Sequence, residues 1–293
     1  MGRMDGKVAV IFGVGPNNGG TIAHFMAREG AKIFACDIAA PAVDVTVKFL
    51  TGKGYAAHGT VADSSAEDDV ERAVGEAVER FGHVDTLVNL GGLQLRHSIL
   101  DMTLTDWRKT TSTYLDSGML TTKHVARAMV KQNRKGCLIH VLSTAAHFGQ
   151  AGNSAYSAAK AGLMNFARAA AMDLAHLGIR VNTLTPFAME HNVYPQGPFP
   201  SNAEPTRTRY SFTREDVLRV IPLGRFPRSS DLAYACLFLA SDEAEFMTGV
   251  DLPCDGGTRV KYPSWRPGDF TNATMPEFRA ALQPKKFGEP PAG

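Results

Sequence analysis

Tyr156 and Lys160 stand four residues apart in a stretch of helical periodicity, so their side chains share one face, one above the other. An ammonium beside a phenol favours the phenolate and draws the tyrosine toward the range where it can exchange protons near neutral pH. Alone, such a pair is common, and an ordinary half-exposed helix pair looks the same in sequence. Near the N-terminus the apolar run Val8 to Phe12 leads through Gly13-Val14-Gly15-Pro16-Asn17-Asn18-Gly19-Gly20 into a helical pattern. In that arrangement backbone N–H groups and a helix N-terminus can hold a pyrophosphate. Asp37 closes the next apolar run, about 20 residues along, where a carboxylate can accept hydrogen bonds from an adenosine ribose.

A parallel sheet with helices on both faces would bring these groups together, and the alternation of β-branched runs with amphipathic stretches calls for one. Strands are expected near Val8 to Phe12, Lys32 to Cys36, Ala56 to Val61, Thr86 to Leu90, Leu138 to Leu142, Arg180 to Thr185 and Asp251 to Cys254. Helices are expected over Thr21 to Arg28, Asp68 to Arg80 behind a Ser64-Ser65-Ala66-Glu67 capping box, Asp106 to Lys131, Ser154 to Leu177 and Asp231 to Ala240. No composition shift divides the sheet, so residues 1–257 read as a single catalytic domain. Residues 187–215, rich in Pro, Asn and aromatics, read as a substrate-covering loop, and 258–293 as a polar, Pro-rich tail.

The 293 residues carry 31 basic and 29 acidic side chains, a formal charge of +2. No strong basic field points to nucleic acid or to an anionic membrane surface. Cys36, Cys137, Cys236 and Cys254 are scattered, without a CxxC pair or His at ligand spacing. Neither a disulfide framework nor a metal site is expected, and a reducing cytoplasm is the expected compartment. No run approaches the roughly 18 apolar residues of a membrane span. The short run behind Arg3 and Lys7 reads as a first strand rather than a secretion signal.

In chain order these residues resemble the short-chain dehydrogenase/reductase family, from about Gly6 to Gly257. Asp63 matches the family's adenine-contacting aspartate, Asn89-Leu90-Gly91-Gly92 its Asn-Asn-Ala-Gly segment, and Ser143, thirteen before Tyr156, its catalytic serine. Pro222-Leu223-Gly224-Arg225, Leu239-Ala240-Ser241-Asp242, Gly249 and Asp255-Gly256-Gly257 resemble its C-terminal signature. The resemblance implies a Rossmann-type, doubly wound, seven-stranded parallel sheet with a nicotinamide cofactor across the strands' carboxyl ends and an alcohol or ketone substrate. Ser143 would donate to the substrate oxygen, Tyr156 would give or take the proton, and Lys160 would hold the nicotinamide ribose and depress the tyrosine pKa. The cofactor-binding set is Gly13, Asn17, Asn18, Gly19, Asp37, Ile38, Asp63, Ser64, Asn89, Gly91, Tyr156, Lys160, Pro186, Met189 and His191. NAD(H) is the expected cofactor, because Asp37 would repel the 2′-phosphate of NADP(H) and no Arg or Lys flanks it in sequence.

Some positions depart from the family pattern. Asn17 replaces the middle glycine of the phosphate loop, where asparagine's tolerance of a left-handed backbone would preserve the turn. Counting from Trp107 puts Tyr114 where the family has the Asn of its proton relay. A hydroxyl could hold the same relay water, or the ring could turn into the core or pocket wall, and both readings stay open. Phe187 replaces the glycine after Pro186, and His191 stands at the family's threonine, leaving carboxamide contacts to the Pro186 and Met189 backbone. His147 and His191 also invite a reading as acid or base. Tyr194, Phe199, Tyr210 and Phe212 suit a bulky apolar substrate better than stacking on nucleic acid. Small residues around most of helix 154–177 call for a second copy, as a dimer or tetramer. Rival readings are dihydrodiol oxidation or activated-alkene reduction on the same fold, and a non-catalytic dinucleotide-binding regulator.

Overall fold

The computed structural model describes residues 2–15, 17–189 and 214–262. Its sheet consists of β1 (Val8–Phe12), β2 (Lys32–Asp37), β3 (Ala57–Val61), β4 (Thr86–Asn89), β5 (Gly136–Val141), β6 (Ile179–Pro186) and β7 (Asp251–Cys254). All neighbours are parallel, in the order β3-β2-β1-β4-β5-β6-β7. The winding reverses between β1 and β4, so the chains leaving those two strands diverge and open a crevice at their carboxyl ends. Every expected strand is present.

Alternation in the strands builds two cores. Ala9, Ile11, Ile33 and Ala35 face α1 (Asn18–Arg28), α2 (Ala40–Gly52) and α7 (Ser229–Ala240). Val10, Phe12, Phe34 and Cys36 face α3 (Glu67–Phe81), α4 (Leu104–Lys131) and α5 (Ser154–Leu174). Strands covered on both sides read as continuous apolar runs, which is why β1 was so plain in sequence. On α3 the buried stripe is Val70, Ala73, Val74 and Ala77, and Gly82, at φ +88, ends the helix by donating to the Val78 carbonyl at 2.7 Å.

Several expectations need correction. The expected helices include none between the second and third strands, where Val43, Val45, Thr46 and Val47 are poor helix formers. Burial of Val43, Thr46 and Leu50 overrides that propensity, and Pro41 falls in the first turn of α2, where it is tolerated. The capping box at Ser64 does not form: the N-cap of α3 is Ala66, with no side-chain cap. Asp69 reaches back instead to the Asp63 N–H at 2.9 Å, and Asp63 Oδ1 accepts from the Ser65 N–H and hydroxyl at 2.8 and 2.6 Å. The fifth helix leaves α geometry at Leu174 and finishes as a 3-10 turn over Ala175–Leu177. A short helix, α6 (Arg214–Leu218), begins inside the segment read as loop. The start of the segment read as tail packs as well, since Arg259 lies between Asp251 and Asp255.

Candidate active site

Beside β1 the chain turns through Gly13 at φ +88, a left-handed backbone that suits glycine. A Cβ on Gly19 would lie 1.9 Å from the Gly13 carbonyl oxygen, so loop and helix meet backbone to backbone. Asn17 has φ −93, so the left-handed backbone expected of it is not used. Its carbonyl accepts from the Thr21 N–H at 3.1 Å and hydroxyl at 2.7 Å, and Asn18 Oδ1 accepts from Ser229 at 3.0 Å, which fastens the loop to α7. No acidic side chain sits in the first turn of α1 to compete with an anion for its positive end.

Asp37 ends β2 with one carboxylate oxygen accepting from the Ala39 N–H at 3.0 Å, beside the exposed Ile38. Arg72, near the end of neighbouring β3, spends its guanidinium on Val61, Thr60, Asp69 and Glu76. Ser64 accepts from Ser117 at 2.8 Å, Asn89 donates to Ser117 at 2.9 Å, and the Gly91 N–H donates to Asn89 Oδ1 at 3.0 Å. This polar chain ties the end of β4 to α4. It also explains Gly91, whose Cβ would lie 2.3 Å from the Ser64 hydroxyl. A backbone cradle that a Cβ would fill, an open helix N-terminus and a carboxylate at the next strand end together fit a dinucleotide.

Ser143, Tyr156 and Lys160 come together beyond the end of β5. Ser143 caps the 3-10 turn Thr144–Ala146 and hydrogen-bonds the Tyr156 phenol. Lys160, buried, donates to the Val141 carbonyl at 2.7 Å, and burial pulls its ammonium down to about 7. Burial also raises the Tyr156 phenol, against the lowering pull of the Ser143 hydrogen bond and the Arg96 charge. The tyrosine was expected to be depressed by Lys160; in this arrangement its burial outweighs the charges around it. Tyr114 lies in the same cluster, its ring edge-to-face with Tyr156 at 5.3 Å and under the Lys160 ammonium at 4.3 Å. Burial lifts the Tyr114 phenol well above its usual range, so the group stays protonated.

His147 is tied into an ion network rather than aimed at the tyrosine. Its Nε2 meets Asp251 at 3.0 Å and Arg259 at 2.5 Å, while Arg259 also donates to Asp251 at 2.7 Å and to Asp255 at 3.1 Å. Thr183 and Thr185 donate to the other Asp251 oxygen at 2.9 and 2.6 Å. Pro186 pairs with Cys254 at the end of β6, and Met189 packs against the α1 side of the core. His191 and the aromatics Tyr194, Phe199, Tyr210 and Phe212 lie outside the described residues. Arg96 and Gly92 were missed as site residues: Arg96 sits in an aperiodic loop, and only the position of the Tyr114 ring shows why Gly92 matters.

The sequence profile of a family described as enoyl-(acyl carrier protein) reductase matches residues 18–259. Meso-2,3-butanediol dehydrogenase of Serratia marcescens is 32% identical over 256 residues, covering 87% of this chain and 95% of the relative. D-threitol dehydrogenase of Mycolicibacterium smegmatis is 30% identical over 260 residues, 88% of this chain and 95% of its own. A crystal structure of a short-chain type dehydrogenase/reductase from Mycobacterium marinum superposes with a TM-score of 0.77 at 27% identity, covering 88% of this chain and 97% of that one. Fold, crevice and cluster define a nicotinamide-dinucleotide oxidoreductase. The chain belongs to the short-chain dehydrogenase/reductase family.

Proposed function

We propose that this protein is an NAD(H)-dependent enzyme interconverting a secondary alcohol and a ketone. The observation that carries the reading is the cluster of Ser143, Tyr156 and Lys160 at the end of β5, next to the Gly13–Gly19 cradle. In oxidation, Ser143 donates to the substrate oxygen and Tyr156, as phenolate, takes the proton that leaves it. A bound nicotinamide supplies the hydride acceptor, and in reduction the donor. Lys160, held by the Val141 carbonyl, would present its charge to the ribose and the phenol. Asp37 supports NAD(H): its second carboxylate oxygen takes no hydrogen bond from a described residue and could accept from ribose hydroxyls, and the nearby Arg72 is already paired. The names of the butanediol and threitol relatives support chemistry at a hydroxyl-bearing carbon. The family profile's name favours a second reading, reduction of an activated alkene.

One panel separates the two. Purified protein with NADH or NAD is offered secondary alcohols, vicinal diols, small and aryl ketones, and activated enones. Carbonyl or alcohol turnover supports the proposal; turnover of enones alone replaces it. Tyr156→Phe should lower kcat by about 10²- to 10⁴-fold while leaving NADH binding measurable. A fully active variant would overturn the catalytic assignment. The bulky, apolar substrate expected from residues 187–215 is tested by the aryl arm of the same panel. We also propose a homo-oligomer, with a second copy covering the groove of about 630 Å³ between α4 and α5 that Met119, Ala126, Val130, Phe166 and Leu174 line. A monomer by light scattering at micromolar concentration would refute it.

A further inference from the structure

We propose that the ring of Tyr114, rather than its hydroxyl, is a positioning element for Lys160: its π face seats the ammonium, and Gly92 leaves the space in which the ring lies. The proposal rests on the alcohol–ketone reading above. Lys160 Nζ stands 4.3 Å from the centre of the Tyr114 ring, nearer than the 5.9 Å to the ring of Tyr156, its neighbour on the same helix. A cation at that distance over a ring face is attracted by the ring quadrupole, most strongly where water is excluded. Water is excluded here, since Lys160 is 4% and Tyr114 6% exposed.

The surroundings leave few other groups to favour the charge. Facing Lys160 are Tyr114 on α4, Tyr156 on α5 and, on β5, the Val141 carbonyl and His140, which burial and the lysine charge together hold down to about 3 and therefore neutral. Arg96, from the loop between β4 and α4, acts on Tyr156 with the same sign of charge as Lys160. Among the described residues no carboxylate pairs with the ammonium. The Val141 carbonyl and the two rings, Tyr114 the nearer, are what oppose its desolvation among the described residues.

The position of the ring is built into the backbone. A Cβ on Gly92 would fall 1.9 Å from Tyr114 Cε1 and 2.3 Å from Cδ1, and Gly92 has φ +152. Any side chain there pushes the ring off its place. The Tyr114 hydroxyl makes no hydrogen bond to any described residue.

The test is the pH profile of kcat/KM for alcohol oxidation, where the acid limb reports formation of the Tyr156 phenolate next to charged Lys160. Tyr114→Leu removes the ring, makes the ammonium less favourable and weakens its help to the phenolate. The limb should move to higher pH by about half to one unit, from the size of a desolvated cation–π contact. Tyr114→Phe keeps the ring and should rescue the profile. Gly92→Ala, which displaces the ring without changing it, should shift the limb in the same direction as Leu. Phe as impaired as Leu would mean that the hydroxyl does the work, and an unmoved limb in a folded Leu or Gly92→Ala variant would mean that the ring does not; either overturns the proposal. Circular dichroism and NADH affinity report folding, and if Leu does not fold, the Phe and Gly92→Ala results decide. A ¹³C NMR titration of lysine Cε, with Lys160 assigned by Lys160→Met, follows the ammonium without turnover. Its pKa should fall in Tyr114→Leu and stay in Tyr114→Phe, even if the substrate reading fails.

Discussion

The two sides of the crevice hold the groups proposed to work there in opposite ways. Toward β1, β2 and β3 the groups are backbone N–H of the first turn of α1 and a carboxylate at a strand end, with Ile38 beside it 69% exposed. Toward β4, β5 and β6 they are side chains stacked on one another out of water, with Lys160, Tyr114 and Tyr156 in mutual contact. Recognising a dinucleotide needs fixed donors and one acceptor, and neither needs a shifted pKa. On the second side burial shifts both titrating groups, lowering Lys160 and raising Tyr156, so a phenolate there depends on the charge that Lys160 brings to it. The second design costs stability, because a buried ammonium gives up its hydration.

The sharpest way to break the cofactor side is Gly19→Ala. The added methyl would meet the Gly13 carbonyl oxygen at 1.9 Å, its carbonyl carbon at 2.8 Å and Val14 Cα at 2.8 Å, all backbone atoms that no rotamer change can move. The loop must shift, and the N–H groups it aims shift with it. Overpacking of this kind costs about 1–3 kcal/mol, so dinucleotide affinity by calorimetry should fall about ten- to a hundredfold. Unchanged affinity would mean that the cradle does not hold the cofactor.

That difference between the sides also explains what could be read from sequence. Glycines forced by backbone contact and a carboxylate at a strand end leave marks at fixed spacing, so Gly13, Gly19 and Asp37 stand out. The seven strands stand out because burial on both faces demands unbroken apolar runs. The helix α2 does not, since its β-branched residues are helical only because the sheet packs against them. Ser64 looked like a cap for α3, yet its hydroxyl is taken by Ser117 on a helix that begins 40 residues later, at Leu104. Tyr156 and Lys160 are a visible pair within α5, but the ring nearest the ammonium comes from α4, and helix periodicity within one element says nothing of contacts between two.

A second prediction sharpens the stability contrast. Lys160→Met should end turnover and raise the melting temperature at pH 7. Burial moves the lysine from an ordinary 10.5 to about 7, which sets an upper bound of roughly 5 kcal/mol on what burying its charge costs the fold. The lost Val141 hydrogen bond and ring contact offset part of that, leaving about 1–2 kcal/mol, or roughly 2–8 °C. The sign follows from proton counts. Below pH 7 both states hold the proton and the full cost stands, whereas between about 7 and 10.5 the unfolded chain holds more protons, so wild-type stability rises with pH. The variant lacks this slope. Its lead should be largest at or below pH 7 and shrink toward pH 10, and a lower melting temperature at pH 7 would show that the site does not cost stability.

The smallest effect belongs to Asp37→Asn on the other side. Asn keeps its one oxygen for the Ala39 N–H and turns an amide N–H, which can donate to a ribose oxygen, toward the second position; that position borders water, so the melting temperature should stay within about 2 °C, as for surface changes of about 0.5 kcal/mol. What changes is charge. A carboxylate facing a 2′-phosphate at about 4 Å costs roughly 1 kcal/mol per charge pair in water and more where solvent is thin, so the preference for NADH over NADPH should fall about tenfold. Fluorescence titration of both cofactors against both proteins measures the ratio. Wild-type protein binding NADPH as tightly as NADH would remove the basis of the NAD(H) assignment. If Asp37→Asn also raised the melting temperature as Lys160→Met does, both sides of the crevice would be built at the expense of the fold, and the contrast between them would be lost.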